Sequence, residues 1–276
     1  MVHRADQVIS SSKFLRVPPA PMHLLALAPH VATAFGSRIH DAYPISWGAM
    51  AAPFTPQPRC KSRACLRGFA VQGTMRRWST KHGSGLIRNF PALWEQLKAK
   101  GSTAAVNITV LGRGKLEDLA IPPGIRPRVR YLSMLPYPAY WQEIHQSWAL
   151  IPAFGSPTYL TTRLTSTVLA SLTTGTPLVA TRQFLKVYSF LGEEHVFVQE
   201  DGEDEMDTMI RVMTMGDEEL FKRRRALAAL RVQLGSRAAA VLLSAVALAQ
   251  MQARDAAPVV GAGAGAKALQ SRWDPR

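Results

Sequence analysis

Cysteine is scarce in this 276-residue sequence, which contains Cys60 and Cys65 and no other. Two thiols cannot form the framework of several disulfides on which small secreted domains depend. By themselves they also cannot supply the four ligands of a structural zinc site. We expect two free thiols in a loop, and a local disulfide is the alternative.

Long apolar runs are also lacking. The longest, from Ala238 to Ala249, has about 12 residues, whereas a helix that spans a bilayer needs roughly 20. The N-terminus lacks the basic start, apolar core and small-residue cleavage site of a secretory signal. The sequence therefore predicts no signal peptide and no membrane span. The expected location is cytoplasmic by default.

Acidic residues are few, with 19 Asp and Glu against 33 Lys and Arg, for a net charge of +14. The excess is uneven, because residues 193–220 carry 11 acidic residues and 1 basic residue. A positive field favours phosphorylated or polyanionic ligands. Nucleic-acid-binding faces usually cluster their cations among aromatic residues. The scattered arginines and the acidic block argue against a nucleic-acid partner.

The chain divides into three parts. Residues 1–67 are rich in proline, and we expect an irregular segment with one helical piece near His23–Phe35. Residues 68–252 alternate between short apolar runs and amphipathic stretches. Residues 253–276 are of low complexity and are predicted to be disordered.

Six short apolar runs in the middle part predict strands, with helical patterns between them. They are Gly68–Gly73, Asn107–Gly114, Val129–Leu135, Trp148–Phe154, Pro177–Thr181 and His195–Gln199. This alternation predicts an α/β fold with a single Rossmann-like, doubly wound parallel sheet of about six strands and helices on both faces. Ligands of such sheets bind at the carboxyl ends of the strands, so the loops there are the first candidates for a site.

The loop after the first strand contains a glycine and three cations, Gly73, Arg76, Arg77 and Lys81. Glycine permits a tight turn, and arginine can bind a phosphate through two parallel hydrogen bonds. The alternative is a solvated basic loop. The second strand ends in Gly112-Arg113-Gly114-Lys115, which lacks the third glycine of a dinucleotide fingerprint.

The stretch from Thr162 to Thr181 is crowded with hydroxyl side chains. Gly175 and Pro177 predict the end of a helix that begins near Thr165, Ser166 and Thr167. A helix N-terminus with free amides, several hydroxyls and a nearby arginine is typical of an anion site. An ordinary capped helix, in which one hydroxyl accepts from a free amide, is the alternative.

Four segments together resemble the C-terminal, donor-binding half of GT-B glycosyltransferases. They read "GFAVQGTMRR", "NITVLGRG", "RVRYLSMLPYPAYWQEIHQSWALIPA" and "TSTVLASLTTGTPLVAT". The sequence is most similar to the group 1, or family 4, type and to uncharacterised eukaryotic relatives, over Arg67 to Arg237. The resemblance implies that a nucleotide-sugar donor binds here. Its diphosphate would contact Gly73, Arg76, Arg77 and Lys81, and the hydroxyls and amides of Thr165, Ser166 and Thr167.

The sequence departs from this family at two acidic positions. Where group 1 enzymes have two glutamates eight residues apart, this chain has Thr162 and Ala170. Thr162 can still bond a sugar hydroxyl. Glu193 and Glu194 could replace the ribose ligand, and the alternative is that they begin an acidic surface. The resemblance implies no metal and no cofactor, because no Asp-x-Asp motif is present and cations can take the place of a divalent ion in this fold.

A GT-B enzyme has a first, acceptor-binding domain, and only about 67 residues precede the first predicted strand here. We expect residues 1–67 to be a remnant of that half, so that the chain could be truncated. The function expected is transfer of a sugar from a nucleotide-sugar to an unknown acceptor, with no catalytic residue assigned. The alternatives are a non-catalytic binding protein of the same fold and a basic nucleic-acid-binding protein. The helix Arg237–Met251 is expected to contact a partner domain or a second copy.

Overall fold

The computed structural model describes residues 23–39, 44–75, 77–80, 83–86 and 88–255. The strands are β1 (Leu24–Ala26), β2 (Ile45–Trp47), β3 (Phe69–Met75), β4 (Arg77–Thr80), β5 (Gly83–Leu86), β6 (Ile108–Gly114), β7 (Val129–Ser133), β8 (Leu178–Thr181) and β9 (Val196–Gln199). The helices are α1 (Pro29–Ile39), α2 (Phe90–Ala104), α3 (Tyr137–His145), α4 (Ser166–Thr174), α5 (Arg182–Val187), α6 (Glu205–Thr214) and α7 (Asp217–Asp255).

The main sheet is parallel and is joined through a single bridging residue, Leu150. On one side β3 pairs with β6 and β6 with β7, and on the other β8 pairs with β9. Leu150 bridges Ala70 of β3 and Leu178 of β8 in parallel register. The spatial order is therefore β7-β6-β3-Leu150-β8-β9, the 3-2-1-4-5-6 order of a Rossmann sheet. The predicted fold class is confirmed, and all six predicted strand segments lie in this sheet.

Helices cover both faces of the sheet, and two apolar clusters form the core of the described part of the chain. Neighbouring residues of a strand enter opposite clusters, as Ala70 and Val71 do in β3. This follows from the two-residue repeat of a strand, and it explains why these strands are apolar at consecutive positions. The first cluster contains Val168 of α4 and Leu227 of α7. The second contains Trp94 of α2, whose indole N–H donates to the Leu119 carbonyl at 2.7 Å.

Residues 24–47 contain more regular structure than the single helical piece that the sequence predicts. β1 and β2 pair in parallel on either side of α1, which makes a small βαβ unit. Val31 and Phe35 of α1 are buried in the first cluster. Three-residue strands are too short to show a two-residue repeat, so the sequence could not reveal β1 and β2.

The carboxyl edge near β3 is shaped by close backbone contact and by a hairpin. Gly112 of β6 has φ +153°, and a Cβ there would lie 1.7 Å from the Gly73 carbonyl oxygen. Only glycine fits at that position. Beyond Met75 the chain forms the antiparallel hairpin of β4 and β5, where the sequence predicts a loop.

Helix α7 has 39 residues and is about 58 Å long. Its first half packs on the domain through Leu227, Leu230, Leu234 and Ala238, at helical spacing. Beyond Ala238 its apolar side chains are exposed, as at Leu243 and Met251. By length and composition alone, Asp217–Met251 is the one helix in the described part of the chain that could cross a membrane. Its most apolar stretch of 18 residues has a mean hydropathy of 1.6, and 11% of that stretch is buried. The predicted absence of a span stays a prediction.

The two cysteines are joined, which corrects the expectation of free thiols. Cys60 and Cys65 form a disulfide with 5.4 Å between their Cα atoms. A short 3₁₀ segment, Arg63–Cys65, turns the chain back so that the two side chains meet. Residues 253–276 are predicted to be disordered, but 253–255 are the last residues of α7, and the tail lies outside the described residues from residue 256 onward.

Candidate functional site

Gln72, in the middle of β3, connects the sheet to the start of α4. Its side chain is 3% exposed. The amide nitrogen donates to the hydroxyls of Ser166 and Thr167, both at 3.1 Å. The amide oxygen accepts from the Tyr140 hydroxyl at 2.6 Å. The N-terminus of α4 is therefore held against the edge at which β3 ends.

Arg88 lies beneath the same edge and is 4% exposed. One terminal nitrogen donates to the Gln72 carbonyl at 2.7 Å and to the Thr167 hydroxyl at 2.9 Å, and the other donates to the Pro152 carbonyl. Its Nε has no partner among the described residues. Burial lowers the pKa of the guanidinium, and the surrounding tyrosines and Glu205 oppose this change. Arg88 is a fixed positive charge below the N-terminus of α4.

Glu205, the first residue of α6, is an acidic residue whose charge acts on Arg88. Its carboxylate accepts from the Ala153 amide at 3.2 Å. Burial raises the pKa of Glu205 to about 7, although the Ala153 hydrogen bond and the charge of Arg88 act in the opposite direction. The carboxyl group therefore titrates near neutral pH, below the carboxyl edge of the sheet.

The free amides at the start of α4 are mostly occupied within the protein. The Thr165 N–H donates to the Tyr188 hydroxyl at 3.0 Å, and the Thr167 N–H donates to the Thr165 hydroxyl at 3.3 Å. Both threonines are 0% exposed. Ser166 is exposed, and its amide has no acceptor among the described residues. Capping and packing thus account for the two threonines, while Ser166 presents its amide and hydroxyl at the surface.

Tyr188 completes the support of this turn. Its hydroxyl accepts from Thr165 and donates to the Tyr159 carbonyl at 2.9 Å. Its ring stacks on Phe184, with 4.3 Å between centroids, and burial raises the pKa of the phenol. Neither Tyr188, Arg88 nor Glu205 is a candidate in the sequence, because each stands in a segment with no recognisable motif.

The sequence-predicted site residues are placed as follows. Gly73 lies at this edge, and a Cβ there would be 3.1 Å from an Arg88 nitrogen. Thr162 is half-buried and donates its amide to the Thr158 carbonyl. Arg76 and Lys81 lie outside the described residues. Arg77 is the first residue of β4, and only its backbone is described.

Glu193 and Glu194 stand apart from this group in the described contacts. They occupy a 3₁₀ turn that precedes β9, whereas Gly73 and Ser166 lie where β3 ends and α4 begins. Glu193 is 3.8 Å from Arg182, and Glu194 is 3.3 Å from His195. Both carboxylates are largely exposed. Their role as ribose ligands stays a prediction.

Solved structures share this architecture. A crystal structure of a glycosyltransferase from Rickettsia africae ESF-5 matches with a TM-score of 0.54 and 12% identity, over 88% of this chain and 67% of that one. Anabaena HepE in complex with UDP and glucose matches with a TM-score of 0.53 and 14% identity, over 80% of this chain and 63% of that one. The fold is that of GT-B glycosyltransferases.

The chain spans about two thirds of the length of these GT-B structures. No protein-family model matches its sequence, and no curated protein matches it either. Within the GT-B fold, the strand order reverses between β3 and Leu150, which is the topological switch point. Gly73 and Ser166 both lie at this point, where Rossmann-like sheets bind their ligands.

Proposed function

We propose that this protein binds the diphosphate of a nucleotide-sugar beside Ser166 and transfers the sugar to an acceptor. The observation that carries the proposal is Ser166, the exposed first residue of α4, whose amide has no acceptor among the described residues and which lies at the switch point of a GT-B fold. A helix N-terminus attracts phosphate through its free amides and its positive end. HepE, which shares this fold, binds UDP.

Residues of β3 and of the sequence after it support an anion at this edge. Gly73 has no side chain to crowd Arg88, whose buried charge raises the local positive potential. The sequence after β3 contains the cations Arg76, Arg77 and Lys81. We assign those cations to the diphosphate, which is the leaving group of sugar transfer. Stabilising the charge that develops on it is the expected contribution of the chain to catalysis.

A second candidate, a non-catalytic binding protein, is favoured by one position. Ala170 stands where the similar group 1 enzymes have a glutamate, and it is 0% exposed. A methyl group cannot bond a ribose hydroxyl, and a carboxylate would not fit without repacking the first apolar cluster. This candidate predicts binding of a nucleoside diphosphate without turnover of the sugar.

Thermal melting with UDP, GDP and their sugars tests the proposal. A ligand at a concentration of about 100 times its Kd stabilises the folded protein by about 2.7 kcal/mol, which raises the melting temperature by a few degrees. Ser166→Asp places a carboxylate where the phosphate is proposed, and an acidic residue at a helix start does not by itself disturb the helix. Ser37→Asp, at an exposed position near the end of α1, is the matched control.

We expect a shift with wild type and with Ser37→Asp, and none with Ser166→Asp. Release of nucleoside diphosphate from the sugar donor would identify an enzyme, and binding without release would identify the second candidate. Equal shifts for the two aspartate variants would show that phosphate binds elsewhere. No shift for wild type with any nucleotide would overturn the proposal.

A further inference from the structure

A cavity of about 650 Å³ lies at the opposite end of α4 from Ser166. Its walls come from the segment before β3, from the last turn of α4 up to Gly175, and from α7. Helix α4 has nine residues, so roughly 13 Å of helix separates this cavity from the carboxyl edge. The volume is in the range of small-molecule sites.

The cavity is lined by five cationic side chains. They are Arg59, Lys61, Arg224, Arg225 and Arg231. No carboxylate lines it within the described part of the chain. Glu218 bonds Arg225, but both side chains are more than half exposed there, so their pairing compensates little in water. The walls therefore carry a strong positive potential.

The buried charge of Arg224 is the strongest evidence for a ligand in this cavity. The residue is 7% exposed, and its terminal nitrogens donate to the carbonyls of His145 and Ser147. Its Nε has no partner in the described structure, and both of these acceptors are neutral. Neutral carbonyls leave the buried charge of Arg224 uncompensated, and an anion bound in the cavity that Arg224 lines would compensate it. Burial lowers the pKa of Arg224 to about 9, so the group is still protonated at pH 7.

Apolar side chains also line the cavity, and the loop beside them is held in place. Phe54, Leu172 and Phe221 line the cavity. The Cys60 amide donates to Nε2 of His145 at 3.0 Å, and Nδ1 of His145 donates to the Thr174 carbonyl at 2.7 Å. Since both ring nitrogens are engaged, His145 is a structural support here and not a free base.

We propose that this cavity binds a small organic anion, a phosphate or carboxylate attached to an apolar or aromatic body. The charged group would meet Arg224 and the exposed Arg59, and the body would lie against Phe54 and Phe221. The site is separate from the nucleotide edge and does not depend on the function proposed for that edge.

Titration calorimetry of the full chain at low salt tests this inference with three probes. Phenyl phosphate carries both a phosphate and a ring, benzoate carries a carboxylate and a ring, and inorganic phosphate lacks the ring. We expect phenyl phosphate or benzoate to bind, and the better of the two identifies the charged group. Inorganic phosphate should bind at least about tenfold more weakly, because it buries no apolar surface.

Two matched variants on α7 locate the site. Val232 lines the cavity and Val246 lies further along the helix, and both are exposed, so a glutamate at either position leaves the core intact. Val232→Glu should weaken binding of the aromatic anion at least about tenfold through charge repulsion. Val246→Glu and Ser166→Asp should bind the anion like wild type. Arg224→Met, checked for folding by its circular dichroism melt, should also lose binding.

Three results would overturn the proposal. The first is the absence of heat with all three probes for wild type. The second is equal binding by Val232→Glu and Val246→Glu. The third is loss of binding in Ser166→Asp alone, which would assign the anion to the nucleotide edge.

Discussion

Glu205 makes the stability of this protein depend on pH in a way that one substitution should remove. Its pKa rises from an ordinary value of 4.5 to about 7, mainly because it is buried, and the Asp204 carboxylate acts in the same direction. The folded state then holds a proton that the unfolded chain has released. The stability associated with the protonated carboxyl is fully present below pH 4.5 and is lost as the pH rises through 7.

The magnitude follows from the two pKa values. A difference of about 2.5 in pKa corresponds to about 3.5 kcal/mol, at about 1.4 kcal/mol for each unit of pKa. Glu205 is half-buried as a whole residue, so water reaches part of the side chain and reduces the effect. We therefore expect the free energy of unfolding of Glu205→Gln, relative to that of wild type, to rise by about 1–3 kcal/mol as the pH increases from 4.5 to 8.

Urea unfolding of both proteins from pH 4 to pH 8 measures this difference. His30 and His145 have pKa values lowered by burial, so they reduce stability as the pH falls through 6.5, which is the opposite sign. Their effect is common to both proteins and cancels in the difference. Glu203→Gln is the control, because Arg211 lowers the pKa of Glu203 to about 2 and its contribution changes only below pH 4.5.

A difference between wild type and Glu205→Gln that stays constant from pH 4.5 to pH 8 would refute this reasoning. It would mean that Glu205 is ionised in the folded protein throughout, with the buried charge of Arg88 as its partner. A difference of the opposite sign would lead to the same conclusion.

Three further predictions concern stability. Gly112→Ala should lower the free energy of unfolding by about 3 kcal/mol or more, because the new Cβ would meet the Gly73 carbonyl. Gly124→Ala is the control, since open space surrounds that position and stability should change little. Comparable urea midpoints for the two variants would contradict the close contact. Tyr188→Phe should cost about 1–3 kcal/mol, because it leaves the buried Thr165 amide without an acceptor, and a melting temperature equal to wild type would show that water replaces the phenol. Cys60→Ser/Cys65→Ser should cost about 2 kcal/mol, and wild type in reducing agent should match it; insensitivity of wild type to reductant would mean that the thiols are free.

The sheet could be predicted from the sequence because its signals are local. Runs such as Leu178–Ala180 are apolar at consecutive positions, since each residue packs on one of two covered faces. The end of α4 at Gly175 is also local, because the left-handed φ of +68° follows from glycine itself. The six-strand parallel order then follows from the alternation of strands and helices.

The candidate site could be predicted only in part. Ser166 and its neighbouring threonines stand out as a motif, but the sequence does not distinguish the exposed serine from threonines that are buried and internally bonded. That difference depends on Gln72, Arg88 and Tyr188, which come from three other segments. The hydrogen bonds join residues 16 to 95 positions apart, and no local pattern encodes such a pairing.

The amino-acid sequence by itself determined the six strands of the main sheet, the end of α4 and the excess of positive charge, because apolar repeat, glycine and formal charge act over a few residues. Tertiary structure decided where that charge is buried, that Cys60 meets Cys65, and that a cationic cavity forms at the far end of α4. Burial and charge compensation depend on what packs around a group, and the neighbours of Arg88 and Arg224 meet only when the chain is folded.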